Sequence, residues 1–256
     1  MAVEVAATRR RFTRAEYYRM AEVGILGEDD RVELIRGEIV EMSPIGRRHR
    51  AFVNNLTQLL ILRLAGRAIV SVQNPVALTD DTEPQPDLAV LRRRPVPYKE
   101  REAWAEDVLL LIEVADSSLA YDRSTKLRLY AEAGVPEYWV VDCAAETVEV
   151  HRTPGPEGYR DVSRVAGTAT LTVRAFPDVE LTTTEIFAWR LPRAWLNADV
   201  RDRGTCLARA PAEAVSIRVN LRPGPARRGA PSPPARDGRC LRANPGPARV
   251  VAPRSS

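Results

Sequence analysis

Residues 109–114 form an apolar run, Leu-Leu-Leu-Ile-Glu-Val, that is interrupted by a single acid, Glu113. Continuous apolar runs of this length are typical of a central β-strand that is covered on both faces. A carboxylate in such a strand destabilises the fold by several kcal/mol unless it pairs with a cation or binds one. The run therefore predicts a layered fold around a central sheet. It also predicts that Glu113 either meets a positive charge or opens onto a cleft.

The sequence around this run indicates helices that alternate with strands. Thr13 and Glu16 have the spacing of a capping box, which marks the start of a helix. Apolar periods and turn residues predict helices over residues 13–24, 46–66 and 122–133. They predict strands over residues 32–35, 38–42, 69–78, 87–91, 109–114, 138–142, 147–152 and 168–173. This order predicts an α/β fold with a mixed central sheet flanked by helices and with marginal β-hairpins.

The net charge of +4 combines two parts of opposite sign. Residues 199–256 hold 12 arginines, no lysine and 4 acids, which gives about +8. Residues 1–198 therefore hold 26 basic and 30 acidic side chains, or about −4. The pI of 9.2 belongs to the tail and is weak evidence for nucleic-acid binding. Nine of the 20 prolines also lie in this tail, which lacks periodicity. The predicted parts are a flexible N-terminus (1–12), one domain (13–196) and a disordered Arg/Pro/Ala-rich tail (197–256).

The three cysteines, Cys143, Cys206 and Cys240, are far apart in the sequence and lack paired spacing. This pattern argues against a zinc site or a disulfide framework, and it predicts a reducing, cytoplasmic location. No apolar run approaches the roughly 20 residues of a membrane span, and the first residues do not resemble a signal peptide. We therefore expect no membrane partner.

Asp87 is a second acid whose position indicates chemistry. It follows Pro84 and Pro86 and leads directly into an apolar strand. We expect Asp87 and Glu113 to converge from neighbouring strands, where two carboxylates form an oxygen-rich site suited to Mg²⁺ or Mn²⁺. Such a metal activates water and stabilises the charge on a phosphodiester during cleavage. A nearby lysine would add positive charge at the phosphate.

An ordered set of motifs resembles a known nuclease family. Pro86-Asp87, followed by Glu113 on an apolar strand, is similar to the PD-(D/E)xK nuclease core. In that core a lysine normally stands two positions after the acid, where this chain has Ala115. From about residue 13 to residue 187, the chain resembles the Uma-type restriction endonuclease branch of these nucleases. The matching segments are residues 33–38, 42–44 with His49, 86–88, 112–114, 121–123 with Lys126, Tyr130, and 134–142.

The resemblance implies a restriction-endonuclease-like fold for residues 13–196. It also implies a divalent-metal-dependent endonuclease that hydrolyses DNA with Mg²⁺ or Mn²⁺. In this branch the lysine has moved to the following helix, which implies a catalytic role for Lys126 beside Asp87 and Glu113. These two acids are the implied metal ligands, with Glu38 as a further candidate. Nucleases that cut both strands often act as dimers, so a homodimer is a further expectation.

Other roles for these residues stay open at this point. Lys126 lies four residues after Asp122, so an ordinary helical ion pair would also explain it. His49 follows the apolar face of its helix, where a buried histidine is at least as common as a functional one. Glu33 and Glu38 are either acids at a sheet edge with no function, or one of them is a further metal ligand.

Two other functions also remain open. One is a non-catalytic nucleic-acid-binding protein of the same fold. The other is a hydrolase that uses Asp87 and Glu113 as a general acid and base without a metal.

Overall fold

A computed structural model of the chain describes residues 9–95 and 98–188. The strands are β1 (Val32–Ile35), β2 (Glu38–Glu41), β3 (Ala68–Val72), β4 (Leu88–Arg92), β5 (Val108–Ala115), β6 (Glu137–Asp142), β7 (Thr147–Gly155), β8 (Gly158–Ala166), β9 (Thr170–Val173) and β10 (Phe176–Thr182). The helices are α1 (Arg14–Glu22), α2 (Arg47–Leu64), α3 (Leu119–Tyr121), α4 (Leu127–Glu132) and α5 (Thr183–Phe187). A 3₁₀ turn (Ala105–Asp107) precedes β5, and a π-helical turn (Asp122–Lys126) joins α3 to α4.

Six strands form the central sheet in the order β3-β4-β5-β6-β7-β8. Its neighbouring strands are antiparallel except for β5 and β6, which run parallel. Parallel neighbours need a crossover connection, and the continuous helical segment from α3 to α4 provides it. The pairs β1-β2 and β9-β10 form two separate hairpins. The predicted α/β fold, with a mixed central sheet, flanking helices and small hairpins, is confirmed.

The strand β5 has a different core on each of its faces. Ile112 and Val114 pack into one apolar core, which includes α2. Leu111 and Ala115 pack into a second core, which includes α4. Glu113 lies between Leu111 and Ala115, so the two-residue period of a strand directs its side chain to the face covered by α4. The predicted central strand is confirmed, and its single acid faces the crossover helix.

The capping box of α1 and the turn between β1 and β2 have the structures that their sequences predict. Thr13 and Glu16 make both hydrogen bonds of a capping box at the start of α1. Arg36 and Gly37 connect β1 to β2 with φ values of 50° and 75°. Positive φ at both central residues is the geometry of a type I′ hairpin turn, and glycine adopts it without a steric penalty.

Strand β3 is shorter than predicted. It ends at Val72, whereas the sequence pattern predicted a strand that continues to Leu78. Gln73 has a φ of 50°, which is outside the range of a strand. Pro75 has no N–H to donate to a neighbouring strand. The chain therefore leaves the sheet before the predicted end.

The structure differs from the sequence prediction at three other elements. The helix predicted over residues 122–133 begins at Leu119 and contains the π turn. The sequence pattern did not predict β8, because its residues are mostly exposed and lack apolar alternation. It also did not predict β10, which contains Pro177, since a proline argues against a strand.

The described residues cover only part of the three predicted segments. Most of the predicted N-terminal segment and the whole predicted tail (197–256) lie outside them. The limits of the domain at residues 13 and 196 therefore stay predictions. Within the described ranges, no helix combines the length and the apolar character needed to cross a membrane.

Candidate functional site

Asp87 and Glu113 lie next to each other at one end of the central sheet. Leu88 of β4 pairs with Ile112 of β5, so the antiparallel register brings Asp87 beside Glu113. The backbone N–H of Val114 donates to Asp87 Oδ2 at 2.8 Å. The backbone N–H of Asp87 donates to Glu113 Oε2 at a longer 3.4 Å. The structure thus brings together the two acids that the sequence placed on neighbouring strands.

Lys126 comes to these acids from the crossover helix. Its Nζ lies 3.0 Å from Glu113 Oε1 and 3.2 Å from Glu33 Oε2, and the side chain is only 6% exposed. The Asp122 carboxylate instead accepts a hydrogen bond from the Ser118 hydroxyl at 2.6 Å. The alternative was an ordinary helical ion pair between Asp122 and Lys126, and the described residues show no such pair within 4.0 Å.

Burial and mutual repulsion set the electrostatics of these groups. Burial raises the pKa of Glu113 to about 8; Lys126 opposes this rise, whereas Asp122 and Asp87 add to it. Burial likewise raises the pKa of Asp122 to about 6, although the hydrogen bond from Ser118 opposes the rise. Burial alone would lower the pKa of Lys126, but the carboxylates of Glu113, Glu33 and Asp122 outweigh it and the net direction is upward. The lysine therefore stays charged among acids that outnumber it.

Glu33 belongs to this cluster and Glu38 does not. The Glu33 carboxylate is buried, where it meets Lys126 and accepts the backbone N–H of Gln85 at 3.2 Å. The Glu38 side chain is 48% exposed and lies 3.8 Å from Arg9. The expectation that Glu38 is a further metal ligand is therefore corrected, because its carboxylate points to Arg9 and Arg11, which precede α1, and does not line the cavity.

His49 contacts Asp87 and does not simply pack in the core. Its Nε2 lies 2.9 Å from Asp87 Oδ1, which also accepts a hydrogen bond from Gln73 Nε2 at 3.3 Å. The other ring nitrogen, Nδ1, is buried without a hydrogen-bond partner in the described part of the chain. The sequence signal for this role is the position of His49 in the first turn of α2, directly after the loop that contains Pro44.

Tyr130 is a site residue to which the sequence assigned no role. Its hydroxyl donates to Glu113 Oε1 at 2.7 Å, so that oxygen accepts from both Tyr130 and Lys126. Tyr130 lies one helical turn after Lys126, and this spacing on a helix face was the available signal. Both side chains hold the Glu113 carboxylate in one orientation.

The acids open onto a cavity of about 520 Å³. The loop between β2 and α2 forms one side of it, and the loop between β5 and α3 forms the other. Its charged and polar lining includes His49, Asp87, Glu113, Tyr121, Asp122 and Lys126. Five carboxylates line the cavity and that of Glu33 lies behind Lys126, whereas the cations of the lining are Arg31 and Lys126. The cavity thus has an excess of negative charge.

The donor set fits a hard divalent cation. Among the residues that the structure describes, no group of three or more His, Cys, Asp or Glu side chains is placed to hold a metal ion by itself. That arrangement does not suit a structural zinc ion, which needs four protein ligands. Mg²⁺ differs, because it binds through one or two carboxylates and completes its shell with water and substrate phosphate. Asp87 and Glu113 supply two such carboxylates, and a divalent cation would offset the excess negative charge.

Comparison with known proteins assigns the chain to a family. The family model described as "Uma2: Putative restriction endonuclease" matches residues 14–184. The chain belongs to the Uma2 family. A search of curated protein sequences gave no match.

The Uma2 fold also has a counterpart among solved structures. This is the crystal structure of a protein from Anabaena variabilis ATCC 29413, described as a "putative nuclease belonging to DUF820". The two are 20% identical with a TM-score of 0.56, and the match covers 70% of this chain and 99% of the other. Identity at this level shows a shared fold. The resemblance to Uma-type restriction endonucleases is thus confirmed, and the match begins in α1 and ends in α5.

Proposed function

We propose that this Uma2-family chain is a divalent-metal-dependent endonuclease that hydrolyses phosphodiester bonds in DNA. The observation that carries the proposal is the buried Lys126, which reaches Glu113 from the crossover helix at 3.0 Å. Asp87, Glu113 and a lysine ammonium thereby meet at one cavity, although Ala115 occupies the usual lysine position. The family and the fold support a nuclease of the restriction-endonuclease type.

Each residue has a distinct task in this proposal. Asp87 and Glu113 would hold Mg²⁺ or Mn²⁺, which when bound activates water and stabilises charge on the phosphate. His49 orients Asp87 through its contact with Oδ1. Tyr130 and Lys126 orient Glu113. The Lys126 ammonium also presents positive charge to an oxygen of the scissile phosphate, where negative charge develops during cleavage.

A metal-independent hydrolase is the second candidate. The observation in its favour is the pKa of Glu113, which burial raises to about 8. A carboxyl group with that pKa is protonated near neutral pH and could act as a general acid. Asp87 would then be the base.

Cleavage of a supercoiled plasmid separates these functions. We expect nicking in Mg²⁺ or Mn²⁺, no nicking in EDTA, and loss of nicking in Asp87→Asn and Glu113→Gln. Glu38→Gln is the matched control, since it neutralises an acid outside the cavity and should leave cleavage unchanged. Nicking that survives EDTA would instead support the acid–base hydrolase. DNA binding without nicking in any metal would indicate a non-catalytic binding protein.

A further inference from the structure

Three arginines in the first turns of α2 form a positively charged group at the rim of the cavity. Arg47, Arg48 and Arg50, here the α2 arginine cluster, are all exposed. Gly46, which precedes them, and His49, which lies between Arg48 and Arg50, line the cavity. The cluster therefore flanks the opening through which a substrate would reach Asp87 and Glu113.

The cluster lacks partners in the described part of the protein. No carboxylate there lies within 4.0 Å of its guanidinium groups. At the other end of the same helix, by contrast, Arg63 pairs with Glu185 at 2.6 Å. Just beyond that end, Arg67 pairs with Asp178 at 2.8 Å. The positive charge at the start of α2 is thus available to an external anion.

The cluster also stands at the unfavourable end of its helix. The N-terminus of a helix has a partial positive charge, so cations there oppose the macrodipole. The first turn of α2 has no acid, and its N-cap residue, Gly46, makes no side-chain hydrogen bond. The Asp116 carboxylate lies close to Gly46 and places one negative charge at this N-terminus, but three arginines there still oppose the macrodipole. Stability of the fold therefore does not explain them, whereas binding of an anion at this rim would.

We propose that the α2 arginine cluster binds backbone phosphates of duplex DNA on one side of the scissile bond. The inference rests on the proposed function, because that function places the scissile phosphate in the cavity. An acidic cavity repels a polyanion, and guanidinium groups at its rim offset that repulsion. Contacts to phosphates fix the position of a duplex without reading its sequence. The cluster would thus orient DNA across the cavity and leave target choice to other residues.

The test compares two full-length triple variants with the same loss of charge. The first is Arg47→Ala/Arg48→Ala/Arg50→Ala. The control is Arg92→Ala/Arg128→Ala/Arg160→Ala, which removes three exposed arginines that also lack a carboxylate within 4.0 Å. Arg92 ends β4 at the end of the strand opposite Asp87, and the other two lie on α4 and β8. Binding of a short fluorescent DNA duplex is measured in EDTA over a series of salt concentrations, so that hydrolysis plays no part.

Each phosphate contact changes the slope of log K against log salt by about 0.9. We expect the cluster variant to lose about 2.7 in slope and at least about tenfold in affinity near 0.1 M salt. The control should bind like the wild type. Circular dichroism should show both variants folded, since all six arginines are exposed and none has a carboxylate within 4.0 Å in the described residues. Equal losses in the two variants, or an unchanged slope in the cluster variant, would overturn the inference. If the wild type binds through the cluster but never nicks DNA in Mg²⁺, the inference stands and the proposed nuclease activity fails.

Discussion

Replacement of Lys126 by methionine tests the centre of the site. The change keeps a long apolar stem and removes only the ammonium group that bridges Glu33 and Glu113. Its Nζ lies 3.2 Å from Glu33 Oε2 and 3.0 Å from Glu113 Oε1. Both carboxylates are buried. Lys126→Met therefore leaves two buried acids without their shared counter-charge.

The expected loss of stability follows from this geometry. Removal of one partner from a buried ion pair lowers the free energy of unfolding by about 3–5 kcal/mol. A domain of this kind has about 5–15 kcal/mol in total, so Lys126→Met should fold but unfold at clearly lower urea concentration. Proton uptake by Glu113 would relieve part of the strain, because burial already raises its pKa to about 8.

A second variant keeps the test valid if the first one is too unstable. Lys126→Met/Glu33→Gln also neutralises one of the two orphaned acids, and a glutamine at position 33 still accepts the N–H of Gln85. We expect it to recover about half of the lost stability. Glu33→Gln alone is the matched control, since it leaves the pair of Lys126 and Glu113 intact.

Urea denaturation gives the free energies, and plasmid nicking in Mg²⁺ gives the activity. Loss of one group that stabilises transition-state charge lowers kcat by about 100-fold to 1,000-fold, so both variants without Lys126 should fall by at least about 100-fold. A folded double variant that nicks at the wild-type rate would refute the catalytic role. A loss of less than about 1 kcal/mol in Lys126→Met would refute the reasoning about buried charge.

Three further predictions concern other residues. Tyr130→Phe removes the 2.7 Å hydrogen bond to Glu113 and should lower the free energy of unfolding by about 1–2 kcal/mol in urea; an unchanged value would show that the bond contributes nothing. Glu137→Ala removes the buried carboxylate to which Arg152 donates at 2.8 Å, and it should lower the free energy of unfolding by about 3 kcal/mol. A loss below about 1 kcal/mol would contradict this prediction. Deletion of residues 197–256 should leave Tm and far-ultraviolet circular dichroism nearly unchanged, and a large drop in Tm would show that the predicted domain boundary is misplaced.

Sequence patterns predicted the elements whose structure depends on neighbours along the chain. The run over residues 109–114 required a strand buried on both faces, and Thr13 with Glu16 required a capped helix. The strand β8 has no such local pattern, because it is held by pairing with β7 and its own side chains mostly face water. A strand of this kind cannot be predicted from its own sequence, because it depends on pairing with its neighbour in the sheet.

The choice between Glu33 and Glu38 shows the same limit at the site. Both acids lie on strands of one hairpin, and its sequence contains no clear difference between the inner and outer faces. Which acid faces the site depends on the chain segment that packs against the hairpin. Leu34 of β1 forms a bridge with Glu83, which places β1 over the chain segment that leads into Asp87. This contact joins residues far apart in sequence, so no local pattern predicts that Glu33 faces Lys126. The contact between His49 and Asp87 also joins residues far apart in sequence, so the position of His49 in the first turn of α2 could not by itself identify Asp87 as its partner.

The single parallel pair, β5 and β6, has a consequence for how such proteins can be recognised. The crossover between these strands passes back over the sheet on the face to which Glu113 points, so its helix can supply a cation from any position that reaches the strand end. A lysine on this helix can therefore reach the same acids as a lysine on the strand. The separation between Glu113 and Lys126 is 13 residues, whereas the usual motif spans two. A search pattern for related chains should therefore fix the acid and the helix face, and leave the distance between acid and lysine variable.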